Sequence, residues 1–180
     1  NQKKDVVNFT TGVSINNLSL NENDVGDFRT FLKLSPPLRT EDDRLSLIKA
    51  INKNLIDVIV SDHKPEDEES KRLTFSQAAP GASSIETLLP LALELFHNES
   101  IKLFKIVELL TSNPSKILKI DKGNLSVGKD ADFCIVDLFK PWIVKKEKMF
   151  SKSKNTSIED KKLQGKVTNT FVKGEELFKI

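Results

Sequence analysis

Histidine is nearly absent from this chain: His63 and His97 are the only two. One cysteine, Cys134, accompanies them, so no internal disulfide can form, which fits a reducing, cytoplasmic setting. That count also leaves the chain short of ligands for a histidine-rich metal centre of its own. No apolar run approaches the roughly 18–20 residues of a membrane-spanning helix, so no membrane association is expected. The opening Asn1-Gln2-Lys3-Lys4-Asp5 leads into no signal-peptide apolar segment, and it lacks an initiator methionine. An excess of one charge is missing as well. With 28 basic and 26 acidic residues, there is no general attraction to nucleic acid or to an anionic membrane.

What is present reads as α/β followed by all-β. Val6-Val7-Asn8-Phe9-Thr10-Thr11 has strand composition and stops at Gly12. Residues 14–40, rich in Asn, Asp, Ser and Pro, read as a long irregular connection of the kind that often carries function. Thr40 is a helix N-cap with Asp43 three residues on, and Leu45, Ile48, Ile51 and Leu55 recur at helical spacing, which predicts a helix over 41–54. Residues 56–61 form a buried parallel strand apart from Asp57. A second polar loop covers 62–82. Helices are expected after Ser84, split or kinked at Pro90, and over 100–112, ended by Asn113-Pro114. Strands follow at 133–136, 142–144 and 165–172, and the lysine-rich stretch 145–166 reads as a solvated loop. Cys134, among apolar neighbours, reads as a core residue. The boundary falls near 117, giving units 1–117 and 118–180.

The chemistry concentrates at the end of the second strand. Asp62 follows an apolar strand and opens a long loop, the position of catalytic side chains in α/β barrels; the alternative is an aspartate that caps a turn. His63 beside it could orient the aspartate, contact substrate or support a metal ligand from behind, or be a satisfied polar residue. His97 sits at a helix C-terminus and reads as structural. Glu66-Asp67-Glu68-Glu69 lacks the glycine-containing spacing of a calcium loop and reads as a solvated acidic loop. Gly81, just ahead of a helix start, could offer backbone N–H groups to a carboxylate or oxyanion, or simply turn the chain.

Taken in order, these segments resemble the C-terminal part of the dihydroorotases of the amidohydrolase superfamily. Leu34-Ser35-Pro36-Pro37-Leu38-Arg39 resembles the family's Asn-Pro-Pro-Leu-Arg segment, and Val60-Ser61-Asp62-His63-Lys64-Pro65 its Thr-Asp-His-x-Pro. Lys71, Phe75, Ala79, Gly81 and Glu86-Thr87 follow in the family's order. Gly123, Leu125, Gly128, Asp130, Ala131, Asp132 and Asp137 are similar to its returning β-domain, and Gly165 to Gly174 to its last hairpin. The resemblance implies the last strands and helices of a TIM-type (β/α) barrel followed by a small β-sandwich. It implies a zinc-dependent, reversible conversion of dihydroorotate to N-carbamoyl-aspartate in pyrimidine biosynthesis. Asp62 would be both metal ligand and catalytic proton carrier, and Ser35, Glu66, Pro80 and Gly81 would contact substrate. A homodimer or an aspartate carbamoyltransferase partner is implied too.

Four residues depart from that pattern. Ser35 stands where the family usually has Asn, Glu66 where it often has His, and Asn16-Asn17 where a His pair is frequent. The family's His-x-His, bridging carboxylate and two later histidines have no counterpart here and would lie upstream of Asn1. The chain is therefore expected to be a fragment, or one segment of an assembly, inactive by itself. The alternatives are a non-catalytic dihydroorotase-like subunit that supports aspartate carbamoyltransferase, and a hydantoinase- or allantoinase-type cyclic amidohydrolase.

Overall fold

The computed structural model describes residues 9–180. The expected first strand lies partly outside them, at residues 6–8. Within them the strand begins at Gly12, where the sequence reading ended it: β1 is Gly12–Ser14. A short helix, α1 (Ile15–Ser19), follows at once, with the Ser14 side chain accepting from the Asn16 N–H as its cap. The connection to residue 40 contains two 3-10 turns and buries Leu32, Leu34 and Leu38. α2 (Glu41–Asn52) starts at Thr40, whose hydroxyl accepts from the Asp43 N–H, and turns Ile48 and Ile51 inward. It is fastened to α1 by Arg44, which binds the Glu41 carboxylate and donates to the Leu18 carbonyl at 3.0 Å.

β2 (Val58–Val60) lies parallel to β1, with Gly12 opposite Val58 and Ser14 opposite Val60. Asp57 sets that register. Its carboxylate accepts from the Thr11 N–H at 2.7 Å and the Thr11 hydroxyl at 3.0 Å, while that hydroxyl also reaches the Leu55 carbonyl at 2.6 Å. The polar residue inside an apolar strand is thus a fastener between strands. Val60 is 43% exposed, so the strand expected to be buried on both faces has an open side among the described residues.

After the one-turn α3 (Glu68–Lys71), a 3-10 turn over Ile85–Thr87 leads into α4 (Leu88–His97). Pro90 occupies the first turn of α4, where no intrahelical N–H is required, so the helix begins just ahead of the proline and is not broken inside. The same logic corrects the next boundary: α5 (Leu103–Leu110) ends before Asn113, and Pro114 lies in the first turn of a new helix, α6 (Ser112–Leu118).

The C-terminal part is a three-stranded antiparallel sheet: β3 (Phe133–Ile143), β4 (Lys162–Val172) and β5 (Glu175–Lys179), in the order β3-β4-β5. The two strands expected at 133–136 and 142–144 are one, with its register shifted between Asp137 and Pro141. Cys134 is exposed on it and is not a core residue, because no second layer covers that face among the described residues. Residues 9–180 accordingly show two strands of a parallel sheet and one antiparallel layer, neither a closed barrel nor a two-layered sandwich. Gly165 lets β4 approach α4: a Cβ there would collide with the Leu93 side chain. One buried cluster runs from Val13, Ile15 and Ile59 through Leu91 and Leu95 to Val144, Ile158 and Leu163. At about 1.5–3 kcal/mol for each fully buried aliphatic side chain, this cluster is what holds the sheet against the α/β part.

Residues 145–161, expected to be solvated, fold back instead as a strap. Met149, Asn155, Thr156, Ser157 and Ile158 are buried in it. A buried lysine braces the opposite side. Lys71, 2% exposed, donates through Nζ to the carbonyls of Thr30 at 3.1 Å and Lys33 at 3.3 Å. Burial pushes its ammonium down to about 8, against a partial upward pull from Glu66.

Two outcomes follow from these fasteners, both measured on the full-length protein. Asp57→Ala removes the acceptor shared by the Thr11 N–H and hydroxyl and should lower stability by about 1–3 kcal/mol in denaturant unfolding. A loss below ~0.5 kcal/mol would show that β1 needs no such anchor. Lys71 is charged in the unfolded chain up to about 10.5 but loses its proton near 8 in the fold. Between those values the unfolded state binds more protons, so stability contributed at this site rises with pH through that window and is lost as pH falls through 8. The stability difference between wild type and Lys71→Met should therefore change by roughly 1–3 kcal/mol from pH 7.5 to 10. A constant difference would mean that water reaches the ammonium freely.

Candidate functional site

β2 ends in a sharp turn. Ser61 leaves the strand, Asp62 takes a left-handed backbone conformation with φ of 51°, and the chain then runs back alongside residues 81–84. His63 forms a parallel bridge to Ala82, and the Lys64 N–H donates to the Ala82 carbonyl at 2.9 Å. Only glycine fits at position 81: its φ is 148°, and a Cβ would stand 2.6 Å from the Lys64 carbonyl oxygen. The Gly81 N–H donates in turn to the Lys33 carbonyl at 2.9 Å, which ties the pair to the segment entering Ser35. Three sequence regions that carry the expected site residues, 33–37, 62–66 and 80–84, thus meet through backbone hydrogen bonds.

Each predicted residue has a definite environment. Asp62 is half-buried, and no described group donates to its carboxylate, so it is an unengaged oxygen donor at a strand end. His63 is locked: its Nδ1 accepts from the N–H groups of Ser84 at 3.1 Å and Ile85 at 3.3 Å. Two donors aimed at one ring nitrogen require its lone pair, so the proton sits on Nε2, the only polar atom the ring has left to offer. Ser35 is exposed, joined to Pro36 by a cis peptide bond, and its hydroxyl has no hydrogen-bond partner among the described residues. Glu66 does not aim an unmatched charge: its carboxylate lies 3.5 Å from Lys64 Nζ. At Gly81 both backbone groups are engaged, the N–H by Lys33 and the carbonyl by the Asn155 amide at 3.2 Å. Pro80 precedes it on the same turn. His97 is far from this chemistry, its ring packed between Phe96 and Phe139.

The strap contributes residues that periodicity could not flag. Asn155 Oδ1 accepts from the Glu66 N–H at 3.3 Å, Ser153 Oγ donates to the Glu66 carbonyl at 2.5 Å, and the Ser83 N–H donates to the Asn155 carbonyl at 3.1 Å. Glu86 anchors the strap's start by accepting from the N–H groups of Phe150 at 3.0 Å and Ser151 at 2.9 Å. Farther along, Ser157 donates to Asn16 Oδ1 at 3.1 Å and the Asn16 amide donates to Ser84 Oγ at 3.2 Å, so the end of β1 joins the same network. Asn17 donates to the Pro37 carbonyl at 3.0 Å. The only sequence signal for this was a run of small polar residues, Asn155-Thr156-Ser157, followed by Ile158 inside a lysine-rich stretch. A cavity of about 780 Å³ opens beside Glu66, bounded by Phe31, Pro65, Ser153 and Asn155.

As a metal site the described residues are incomplete. No group of three His, Cys, Asp or Glu side chains gathers among them, whereas a catalytic zinc needs about three protein ligands and an open position. Asp62 fits one corner of such a centre, and His63 Nδ1 is unavailable as a ligand because it already accepts two N–H groups. No helix among the described residues is long and apolar enough to cross a membrane.

Comparisons with known proteins bear on the same residues. The amidohydrolase family model matches residues 11–177. A dihydroorotase from Ehrlichia canis is 39% identical over 98% of this chain, and one from Aquifex aeolicus is 38% identical, also over 98%. The chain spans 39% and 42% of the lengths of those two relatives. Among solved structures, an L-hydantoinase from Arthrobacter aurescens superposes with a TM-score of 0.92 at 26% identity, covering 98% of this chain and 41% of that one. A D-hydantoinase superposes at 0.86 with 23% identity, a likeness of fold. The family match covers β1, β2, the Asp62 turn, the strap and all of the antiparallel sheet but the end of β5, and the chain belongs to the amidohydrolase family.

Proposed function

We propose that the full-length protein is a dihydroorotase, which opens the cyclic amide of dihydroorotate to N-carbamoyl-aspartate and closes it again in pyrimidine biosynthesis. The observation that carries this reading is the unengaged Asp62 carboxylate, at a strand end beside the Ser35, Glu66 and Gly81 segments, in a chain 38–39% identical to dihydroorotases. Last strands of a TIM-type barrel are the setting this reading gives to β1 and β2, and a cytoplasmic enzyme its location. Hydrolysis adds the oxygen of a water molecule to the ring carbonyl carbon, breaks the ring C–N bond and delivers a proton to the departing nitrogen. Zinc, held by Asp62 together with ligands from outside residues 9–180, lowers the pKa of water and polarises the carbonyl when bound. Asp62 takes the proton from the attacking water and carries it to the nitrogen, a role supported by its place on a left-handed turn at the end of β2. His63, fixed by the Ser84 and Ile85 amides, would keep its Nε2–H for donation to the substrate. Ser35 and the Pro80-Gly81 turn border the substrate, Gly81 by its close-packed shape, since its N–H and carbonyl are taken up by Lys33 and Asn155. Glu66 serves through its backbone, since Lys64 offsets the carboxylate that would otherwise repel an anionic substrate.

Two other readings have specific support. The hydantoinase likeness favours a neutral cyclic ureide such as hydantoin or allantoin as substrate. Ser35 and Glu66, at positions assigned to substrate, favour a non-catalytic subunit that supports aspartate carbamoyltransferase. A catalytic homodimer and such a complex are separated by mass measurement with and without the transferase.

Purified full-length protein should carry zinc and turn over dihydroorotate in both directions, while residues 1–180 alone should not. Asp62→Asn should reduce kcat by about 10²–10⁴-fold. Wild-type turnover by that variant would sink the assigned role. Turnover of hydantoin or allantoin with none of dihydroorotate would move the assignment to a different ring, and metal-free, inactive full-length protein would favour the supporting subunit.

A further inference from the structure

We infer that Asn155 is a positioning residue that sets the distance between the two loops assigned to substrate, those carrying Glu66 and Gly81. The inference rests on the dihydroorotase reading for its effect on catalysis, and on geometry for the coupling of the loops.

Asn155 is 3% exposed and comes from the strap, far from both loops in sequence. Its side-chain oxygen accepts from the Glu66 N–H at 3.3 Å, and the Ser83 and Ser153 hydroxyls also lie within reach of it, each sharing its single proton with a carbonyl, that of Ser153 and that of Glu66 respectively. Its side-chain nitrogen donates to the Gly81 carbonyl at 3.2 Å. One primary amide thus faces a donor on one loop and an acceptor on the other. Among side chains of this size only Asn can do both at once, since a carboxylate has no donor and a hydroxyl is too short to span the pair. Backbone and neighbours hold the amide rigid: the Ser83 N–H binds the Asn155 carbonyl, and the Ser83 hydroxyl binds the Ser153 carbonyl at 3.1 Å. Gly81 has no slack of its own, pressed against the Lys64 carbonyl, so a shift in the strap passes directly into the turn.

Asp62 is held differently, by β2 and the bridge from His63 to Ala82, with no hydrogen bond to the strap. Loosening Asn155 should therefore disturb where substrate sits while leaving the proton carrier in place. Weakened binding shared by ground state and transition state raises KM with kcat little changed.

Asn155→Asp is the selective test in the full-length enzyme. The carboxylate still accepts from Glu66 and Ser83 but turns a lone pair toward the Gly81 carbonyl. Ser153→Ala removes the hydroxyl shared by the Glu66 carbonyl and the Asn155 oxygen, and leaves the Asn155 amide with its own bonds to the Glu66 N–H and the Gly81 carbonyl. Hydrogen–deuterium exchange and steady-state kinetics are measured together. For Asn155→Asp we expect faster exchange in both 62–67 and 79–84, and KM for dihydroorotate raised about tenfold or more with kcat within about threefold. For Ser153→Ala we expect faster exchange in 62–67 only and a smaller rise in KM. Unchanged exchange in both variants, or faster exchange with an unchanged KM, overturns the inference. If Asn155→Asp does not fold, Ser153→Ala decides by the same two readouts. If wild type fails to turn over dihydroorotate, the functional reading falls alone, and exchange in the two loops still decides whether Asn155 couples them.

Discussion

The contact between Gly81 and the Lys64 carbonyl governs the layout of this protein's chemistry. The loop that leaves β2 returns to run beside residues 81–84, and the approach is so close that any side chain at position 81 would strike the Lys64 oxygen. Because the two backbones touch, the Gly81 N–H can reach Lys33, the Ser84 and Ile85 N–H groups can reach His63, and the Gly81 carbonyl can reach Asn155. Asp62 stands at the origin of that turn. No described group donates to its carboxylate, whereas His63 Nδ1 and both backbone groups of Gly81 are engaged.

Support for the turn comes from two sides with different physics. From the N-terminal side, Lys71 reaches the carbonyls of Thr30 and Lys33 with a buried ammonium whose proton is loosened by its surroundings. From the C-terminal side, the strap contributes neutral amides and hydroxyls that donate and accept at fixed geometry. Buried polar groups are costly unless fully paired, so a network of this kind specifies one arrangement of the loops more sharply than apolar contacts would. Apolar packing, through Leu91, Leu95, Val144, Ile158 and Leu163, brings the strap to the right place; the hydrogen bonds then choose its exact seating.

Much of the α/β part was legible in the sequence because its signals are local. Thr40 with Asp43, and the spacing of Ile48 and Ile51, mark α2 within a single stretch of chain. The apolar residues of β2 and the polar turn behind them mark the Asp62 position the same way. Prolines were read with the right rule at the wrong address: Pro90 and Pro114 break no helix, because each lies in a first turn where its missing N–H is not needed. Lysine content predicts solvation on average, whereas the strap buries four consecutive residues, Asn155 to Ile158, and two of them, Asn155 and Ser157, bond to partners 72 to 141 positions away. Cys134 was misread for the converse reason: apolar neighbours in sequence do not supply a covering layer in space.

By itself the sequence determined α2 with its Thr40 cap, the strand that delivers Asp62, the scarcity of metal ligands and the ordered segments that resemble the family, since each depends on neighbouring residues or on composition. Tertiary structure alone decided that Asp57 fastens β1 to β2, that His63 turns its Nδ1 to two amides, and that Asn155 joins the Glu66 and Gly81 loops. Those are pairings between distant segments, and a hydrogen bond between them exists only once the apolar core has fixed where each backbone runs.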